Sequence, residues 1–263
     1  MASERTRRNQ GPGAPVPDGR HHLLIPISVL TSAALLYGAH LPYSVALVVA
    51  GAFLALYVAA PSLSRRSREA FDRDALAIRA SKTGDRGKRL AERLDGAWPL
   101  RVLGAPADLH ARRAMVADEA GHPREARDAY RRALDAWEGE PPLATLVGYA
   151  NASYLAGDHV EAVVSFQKVL DRSAMLPRLH VRLAHATLRA GLPSDSVAAW
   201  LDAAERDADD DEARREVSLV RALFDAKRGE RDAARARLRD LPKELGVLAT
   251  LRDEVREAID APA

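Results

Sequence analysis

The chain of 263 residues has 39 basic and 37 acidic side chains and no cysteine. Its formal net charge of +2 argues against non-specific nucleic-acid binding, which requires a basic face. The lack of cysteine excludes disulfides, thiolate catalysis and cysteine-based zinc sites. Residues 1–22, rich in Pro, Gly and Arg, predict a disordered tail.

A long uncharged segment follows the tail. Residues 23–61 contain no Asp, Glu, Lys or Arg, although charges are dense on both sides. A hydrocarbon core about 30 Å thick needs about 20 apolar residues per helical crossing, so the segment is too long for one pass. Residues 38–42 divide it, which predicts a two-helix transmembrane hairpin with crossings at about 23–37 and 43–60. A cleaved signal peptide is the alternative, but its apolar core is only about 7–15 residues long.

Arginines on both sides of the uncharged segment predict its orientation. The loop between the two crossings holds His40 and no charged residue. Because cytoplasmic flanks are enriched in Lys and Arg, both ends of the hairpin are expected in the cytoplasm. The Ala- and Arg-rich composition suggests a bacterial source. The sequence thus predicts a multi-pass protein of the bacterial inner (cytoplasmic) membrane whose N terminus and repeat region are cytoplasmic. The flanking arginines are Arg5, Arg7, Arg8 and Arg20 before the segment and Arg65, Arg66 and Arg68 after it.

Residues 62–106 predict two helices, at 64–80 and 86–98, joined by a turn at 83–85. Three interpretations are open: a packed helical pair, which we favour, a degenerate extra repeat, or a juxtamembrane stalk whose arginines bind anionic lipid. The apolar positions of the two helices are Phe71, Leu76, Ile78, Leu90 and Leu94. The arginines of the stalk interpretation are Arg65, Arg66, Arg68 and Arg73.

From residue 107 onward the chain reads as successive helices with a recurring glycine turn. Glycine ends a helix in a left-handed conformation, and a small residue five positions later allows the next helix to pack closely. The turn glycines are Gly121, Gly157, Gly191 and Gly229. The small residues that follow them are Ala126, Ala162, Ser196 and Ala234.

This pattern resembles the tetratricopeptide repeat family, whose unit is a helix–turn–helix of about 34 residues. The resemblance implies an all-α helical-repeat solenoid over residues 107–242, and residues 243–263 then form a capping helix and tail. The small residues of the first helices are Ala114, Ala150, Ala184 and Ala222, and the bulky residues of the second helices are Tyr130, Phe166, Trp200 and Leu238. The apolar stripe of the capping helix is Leu245, Leu248, Leu251, Val255 and Ile259. His110 and His180 depart from the family, which has a large residue at their position.

No catalytic or cofactor motif is present. The sequence lacks a Walker loop, a dinucleotide glycine fingerprint, a zinc-protease helix and a serine nucleophile elbow. The acidic run at residues 209–212 is interpreted as a helix N-terminus, where acidic side chains are favourable, and not as a cation site. We therefore expect no enzymatic activity, no cofactor and no metal.

The resemblance also implies that the first helix of each repeat lines a groove. The candidate groove residues are Asn151, Tyr154, Arg178, Arg182, His185 and Arg189. The last four form one helical stripe. Arg178 and Arg182 match the basic positions of the family's carboxylate clamp, but its Lys and Asn positions are here Ala111 and Met115. The stripe is either a basic groove for an acidic peptide or a solvated face paired with neighbouring acids.

The sequence thus predicts a membrane-anchored scaffold or assembly factor that binds a partner protein in the groove and holds it at the inner membrane. The alternative is a structural subunit of a larger membrane complex, assembled through the hairpin. The partners are then a protein, such as an acidic peptide or helix, and the lipid bilayer through residues 23–60. No nucleic acid is expected, and the chain could form homo- or hetero-oligomers. Small residues spaced four apart, Gly51 and Ala55, would allow another membrane helix to approach closely.

Overall fold

The computed structural model describes residues 24–34, 43–81, 84–173, 178–192, 195–242 and 244–261. Every regular element in these ranges is helical and none is a strand, so the predicted all-α class is confirmed. The N-terminal tail, the loop at His40 and residues 35–37, at the end of the first predicted crossing, lie outside the described residues.

Thirteen α-helices occur in the described ranges. They fall into an N-terminal unit, residues 1–121 and 132–140, and a C-terminal unit, residues 122–131 and 141–263. The helices are α1 (Leu24–Ala33), α2 (Tyr43–Ala80), α3 (Arg86–Gly96), α4 (Trp98–Leu103), α5 (Pro106–Glu119), α6 (Pro123–Asp135), α7 (Leu143–Leu155), α8 (His159–Arg172), α9 (Leu179–Arg189), α10 (Ser196–Asp207), α11 (Asp211–Lys227), α12 (Arg231–Asp240) and α13 (Ala249–Asp260).

Helix α2 is the one described helix that is long and apolar enough to cross a membrane, a criterion of length and composition. It has 38 residues, and large apolar side chains such as Leu47, Leu54 and Val58 are exposed on its first half. Helix α1 contacts α2 and has 10 described residues, Leu24–Ala33. The described residues therefore contain one candidate membrane helix where the sequence predicted two.

Helix α2 continues without interruption through Pro61, where the sequence placed the end of the apolar segment. Proline lacks the N–H that closes a helical turn, but its fixed φ is compatible with the helix. After Pro61 the helix becomes polar on one side and buries Phe71, Ala75 and Ile78 on the other. These residues form one core with Leu90 and Leu94 of α3, Leu100 of α4 and Leu109 of α5. Leu76, although apolar, lies outside this core and is exposed.

A network of ion pairs joins α2 to α5. Asp108 accepts a 2.9 Å hydrogen bond from Arg68 and another from Arg112. Arg112 also binds both carboxylate oxygens of Asp72, at 2.7 and 3.2 Å. Because Asp108 is buried, these bonds compensate the cost of removing its charge from water. Arg68, which the stalk interpretation assigned to anionic lipid, is thus engaged by a carboxylate of the same unit.

Helix α3 also packs closely against the end of α5. A Cβ atom added at Gly87 would lie 2.6 Å from the Cα of Ala120. We expect Gly87→Ala to lower the free energy of unfolding by about 1–3 kcal/mol, since backbone must move to relieve the overlap. Thermal unfolding of the full chain in detergent, followed by circular dichroism, measures the change. Gly96→Ala is the matched control, because a Cβ there meets nothing within 4 Å. Equal unfolding temperatures for the two variants would contradict the close approach.

In the C-terminal unit, helix–turn–helix pairs follow one another as α7–α8, α9–α10 and α11–α12. The turn glycines Gly157, Gly191 and Gly229 have φ values of +88°, +64° and +84°, the left-handed conformation that their spacing predicted. The predicted small residues Ala150, Ala184 and Ala222 of the first helices are fully buried. Helix α13 packs against α11 and α12 and buries Leu251, Val255 and Ile259 of its predicted apolar stripe.

The second helix of the α9–α10 pair differs from prediction by one residue. Ser196 is exposed, and Val197 occupies the buried position expected for it. Leu201 is likewise fully buried, whereas Trp200 is only partly buried. The physical reason is a longer turn: α10 begins five residues after its glycine, whereas α8 begins two residues after Gly157.

Candidate functional site

The six predicted groove residues lie on two neighbouring helices of the C-terminal unit, and the structure brings five of them into direct contact. Asn151 and Tyr154 are on α7, and Arg182, His185 and Arg189 are on α9. Arg182 donates a hydrogen bond from Nη1 to Asn151 Oδ1. Tyr154 OH is hydrogen-bonded to Nδ1 of His185. We call this set, together with Arg178 at the start of α9, the α7–α9 face.

A carboxylate from α13 binds to the α7–α9 face. Glu254 Oε2 accepts a 2.6 Å hydrogen bond from Arg189 Nη2, and Oε1 accepts one of 3.1 Å from Arg189 Nε. His185 Nε2 lies 3.2 Å from the same Oε2 atom. Sequence reasoning missed Glu254 because it lies 65 residues after Arg189 and no local pattern pairs the two. The predicted capping helix thus contributes a ligand to the predicted groove.

The electrostatics of this contact favour a permanent ion pair. Partial burial raises the pKa of Glu254, but the hydrogen bonds from His185 and Arg189 outweigh burial and lower that pKa to about 2. The hydrogen bond to Glu254 in turn raises the pKa of Arg189. Both groups are therefore charged at neutral pH.

Tyr154 connects the ion pair to the core of the unit. Burial raises the pKa of its phenol to about 12, so the phenol is neutral and can donate to Nδ1 of His185. With its own proton on Nε2, His185 then donates to Glu254, and both bonds are satisfied. The Arg189 guanidinium lies 5.9 Å from the centre of the tyrosine ring, within cation–π range. Phe166 contacts the same ring edge-on, at 6.4 Å between ring centres.

His159 is a further member of this cluster. It is the first residue of α8, and its ring centre lies 6.0 Å from that of Tyr154. Burial, followed by the nearby charge of Arg189, lowers the pKa of His159. Its Nδ1 atom is buried and has no hydrogen-bond partner within the part of the chain that the structure describes.

Arg178 is held in a different setting from the other arginines. Its φ of +59° is left-handed, a conformation that costs a non-glycine residue about 1–2 kcal/mol. Its guanidinium lies 3.4 Å from Glu212 and 3.8 Å from Glu216, both on α11. Asp210, at 3.6 Å, also accepts a 2.6 Å hydrogen bond from the backbone N–H of Ala213.

That backbone bond lowers the pKa of Asp210 and caps α11, which confirms the helix N-terminus interpretation of residues 209–212. The searched, described residues contain no group of His, Asp and Glu side chains that could hold a metal ion.

The three arginines of the stripe are therefore not equivalent. Arg178 and Arg189 are paired with carboxylates, as the solvated-face interpretation expected. Arg182 is bonded to the neutral amide of Asn151, which does not neutralise its positive charge. His185 is only 3% exposed, so it positions its neighbours and does not offer a surface to a partner.

The resemblance to tetratricopeptide repeats thus rests on glycine conformation, buried alanines and helix pairing. Comparison of the chain with protein-family models, with curated proteins and with solved structures gives no match.

Proposed function

We propose that the chain is a membrane-anchored scaffold or assembly factor of the tetratricopeptide type. In this proposal the α7–α9 face binds an acidic segment of a partner protein and holds that partner at the bacterial inner membrane. The observation that carries the proposal is the Glu254 contact. A carboxylate from a separate helix is bound there by a guanidinium and an imidazole, which is the chemistry by which an acidic peptide would be recognised.

Arg182 is the residue of this face best suited to receive a partner's carboxylate. A guanidinium has five N–H donors, and the bond to Asn151 uses one of them. That bond also fixes the orientation of the guanidinium, which reduces the entropy lost on binding. The side chain is partly exposed, so a partner can reach it.

The anchor in this proposal is a hairpin of residues 23–37 and 43–60, of which the apolar half of α2 is the second crossing. The arginines on both flanks support a cytoplasmic location for the N terminus and the C-terminal unit. Confinement to a membrane raises the effective concentration of the face for partners in the same bilayer, without new contacts.

A structural subunit of a larger membrane complex is the second candidate. It is favoured by Gly51 on the apolar half of α2, where an added Cβ would meet nothing within 4 Å. Together with Ala55 one turn later, this leaves a shallow surface on which a helix of another protein could pack. In that case the hairpin, and not the α7–α9 face, selects the partner.

Arg182→Gln tests the scaffold proposal. A hydrogen bond to a charged group contributes about 1.5–3 kcal/mol, so we expect at least about a tenfold loss of partner binding. The measurement is crosslinking in native membranes, with the crosslinked partner identified and quantified by mass spectrometry. Arg235→Gln is the matched control: it removes the same charge from an exposed side chain of α12 that pairs with Asp232 three residues earlier.

An anchor exchange separates the two candidates. Residues 23–60 are replaced by an unrelated two-pass anchor, and the crosslinking is repeated. A scaffold keeps its partner after the exchange and loses it with Arg182→Gln. A subunit loses its partner after the exchange and keeps it with Arg182→Gln, a result that would overturn the scaffold proposal.

A further inference from the structure

Helix α4 of the N-terminal unit exposes two large apolar side chains on one side. Trp98 is 55% exposed and Val102 is 60% exposed, and their spacing of four residues places them on the same side of the helix. Leu100 and Leu103 of the same helix are buried. A six-residue helix that keeps a tryptophan and a valine in contact with solvent has an unpartnered apolar face.

The ion pairs of this unit fix where α4 lies along α2. Arg68 pairs with Asp108 and Asp72 pairs with Arg112, so each partner is 40 residues further along the chain. A constant offset means that α2 and α5 run side by side in the same direction. Since α5 begins at Pro106, its first residue is level with residue 66 of α2.

Helix α3 leads the chain back toward the apolar half of α2. Arg89 bonds to Ser81, and Arg93 pairs with Asp74. The point of contact on α2 therefore moves toward its apolar half from the start of α3 to its end. Helix α4 follows after Ala97 and contacts α2 before the chain enters α5. It therefore lies beside α2 between about the levels of residues 65 and 71. At a rise of 1.5 Å per residue, α4 lies about 3–12 Å further along the α2 axis than Leu63, the last apolar residue before Arg65.

The near part of that range overlaps the headgroup layer of a bilayer, which is about 5–8 Å thick on each side of the hydrocarbon core. Tryptophan is the residue most typical of this layer, because its ring is apolar and its N–H is polar. Exposed arginines lie at this level on α2, as Arg65 and Arg66, and on α4, as Arg101, and their positive charge favours anionic headgroups. Two of them also pair with exposed carboxylates, Arg65 with Glu69 and Arg101 with Asp95.

We propose that α4 is an interfacial membrane contact, in which Trp98 and Val102 enter the headgroup region of the bilayer that α2 crosses. This inference rests on the proposed anchoring of α2. The occupant of the apolar face is lipid and not another protein, because the helix that crosses the bilayer also carries the core on which α4 packs. The chain then touches the membrane at two places, α2 and α4, and the rotation of helices α3 to α5 about the α2 axis is restricted.

The test uses the full chain in vesicles of zwitterionic and anionic phospholipid. The chain has three tryptophans, so Trp137→Phe/Trp200→Phe leaves Trp98 as the single tryptophan. Its emission is measured with phospholipids brominated either close to the headgroup or near the end of the acyl chain. We expect the shallow bromines to quench about half of the Trp98 emission and the deep bromines to quench less. The matched control is Trp98→Phe/Trp137→Phe, because Trp200 packs against the protein core and should not be quenched by either lipid.

Two further measurements distinguish the remaining outcomes: quenching of Trp98 emission by aqueous iodide, and extraction of the membranes at alkaline pH, which releases chains that no helix anchors. Quenching of Trp98 by iodide and not by bromolipid, in a chain that resists alkaline extraction, would overturn the interfacial contact and leave the anchor intact. Protection of Trp98 from both quenchers would indicate a protein cover and would also overturn the inference. Release of the chain by alkaline extraction would overturn the proposed anchor itself.

Discussion

Replacing Leu223 by alanine is expected to lower the free energy of unfolding of the C-terminal unit by about 3–5 kcal/mol. Leu223 lies in the last third of α11 and is fully buried in a core formed by α9 to α13. Removing three heavy atoms there loses their transfer free energy and leaves a cavity that helices on several sides prevent from collapsing. A domain is stable by only about 5–15 kcal/mol, so the loss is a large part of the total.

Urea unfolding of the full chain in detergent, followed by helical circular dichroism, measures this change. Leu155→Ala is the control: it makes the same substitution on a helix of the same unit, but the side chain is 61% exposed. Its effect should stay within about 0.5 kcal/mol. If both variants unfold at the same urea concentration, α11 is not the centre of the core.

Glu254→Gln is expected to destabilise the C-terminal unit by about 2 kcal/mol at neutral pH, and by progressively less in acid. The pKa of Glu254 is about 2 in the folded chain, below the ordinary value of 4.5. A carboxyl whose folded pKa is depressed contributes stability above its unfolded pKa and loses that contribution as the pH falls toward its folded pKa. The difference between the native chain and the variant should therefore shrink between about pH 5 and pH 2. The magnitude allows for the water that still screens the side chain.

The measurement is the free energy of unfolding of both proteins at a series of pH values. Glu257→Gln is the matched control, since it removes the same charge from an exposed side chain of the same helix. An unchanged difference between pH 7 and pH 3 would show that hydrogen bonding, and not the charge of Glu254, is responsible. No loss of stability at pH 7 would show that α13 does not depend on this contact.

The parts of the fold that follow from local sequence could be predicted. Left-handed turns require glycine, so Gly157 and Gly229 mark the helix ends. Close helix packing requires small residues, so Ala150 and Ala222 mark the buried positions. Where the turn departs from the standard length, as after Gly191, the same rules misplace the next helix by one residue.

The contacts that define the candidate site could be predicted only in part. Asn151 and Arg182 were expected on one face because each belongs to the first helix of a repeat. Two carboxylates on the same face, Glu254 bound to Arg189 and Glu212 paired with Arg178, were not expected. Pairing between distant charges depends on how whole helices pack and leaves no periodic signal. The continuity of α2 was also missed. A proline suggests a helix end, but its fixed φ is compatible with a helix, and α2 continues through Pro61.

That continuity has a mechanical consequence for the N-terminal unit. A flexible linker would allow this unit to occupy a range of heights and orientations above a bilayer. A helix that passes directly from an apolar half into a packed core allows neither, because height and orientation are both fixed by the helical repeat. Each residue inserted between Pro61 and Arg68 would raise the unit by about 1.5 Å and turn it by about 100°. In the proposed anchored state, the length of α2 sets both the distance of helices α3 to α5 from the membrane and the side that they present to it.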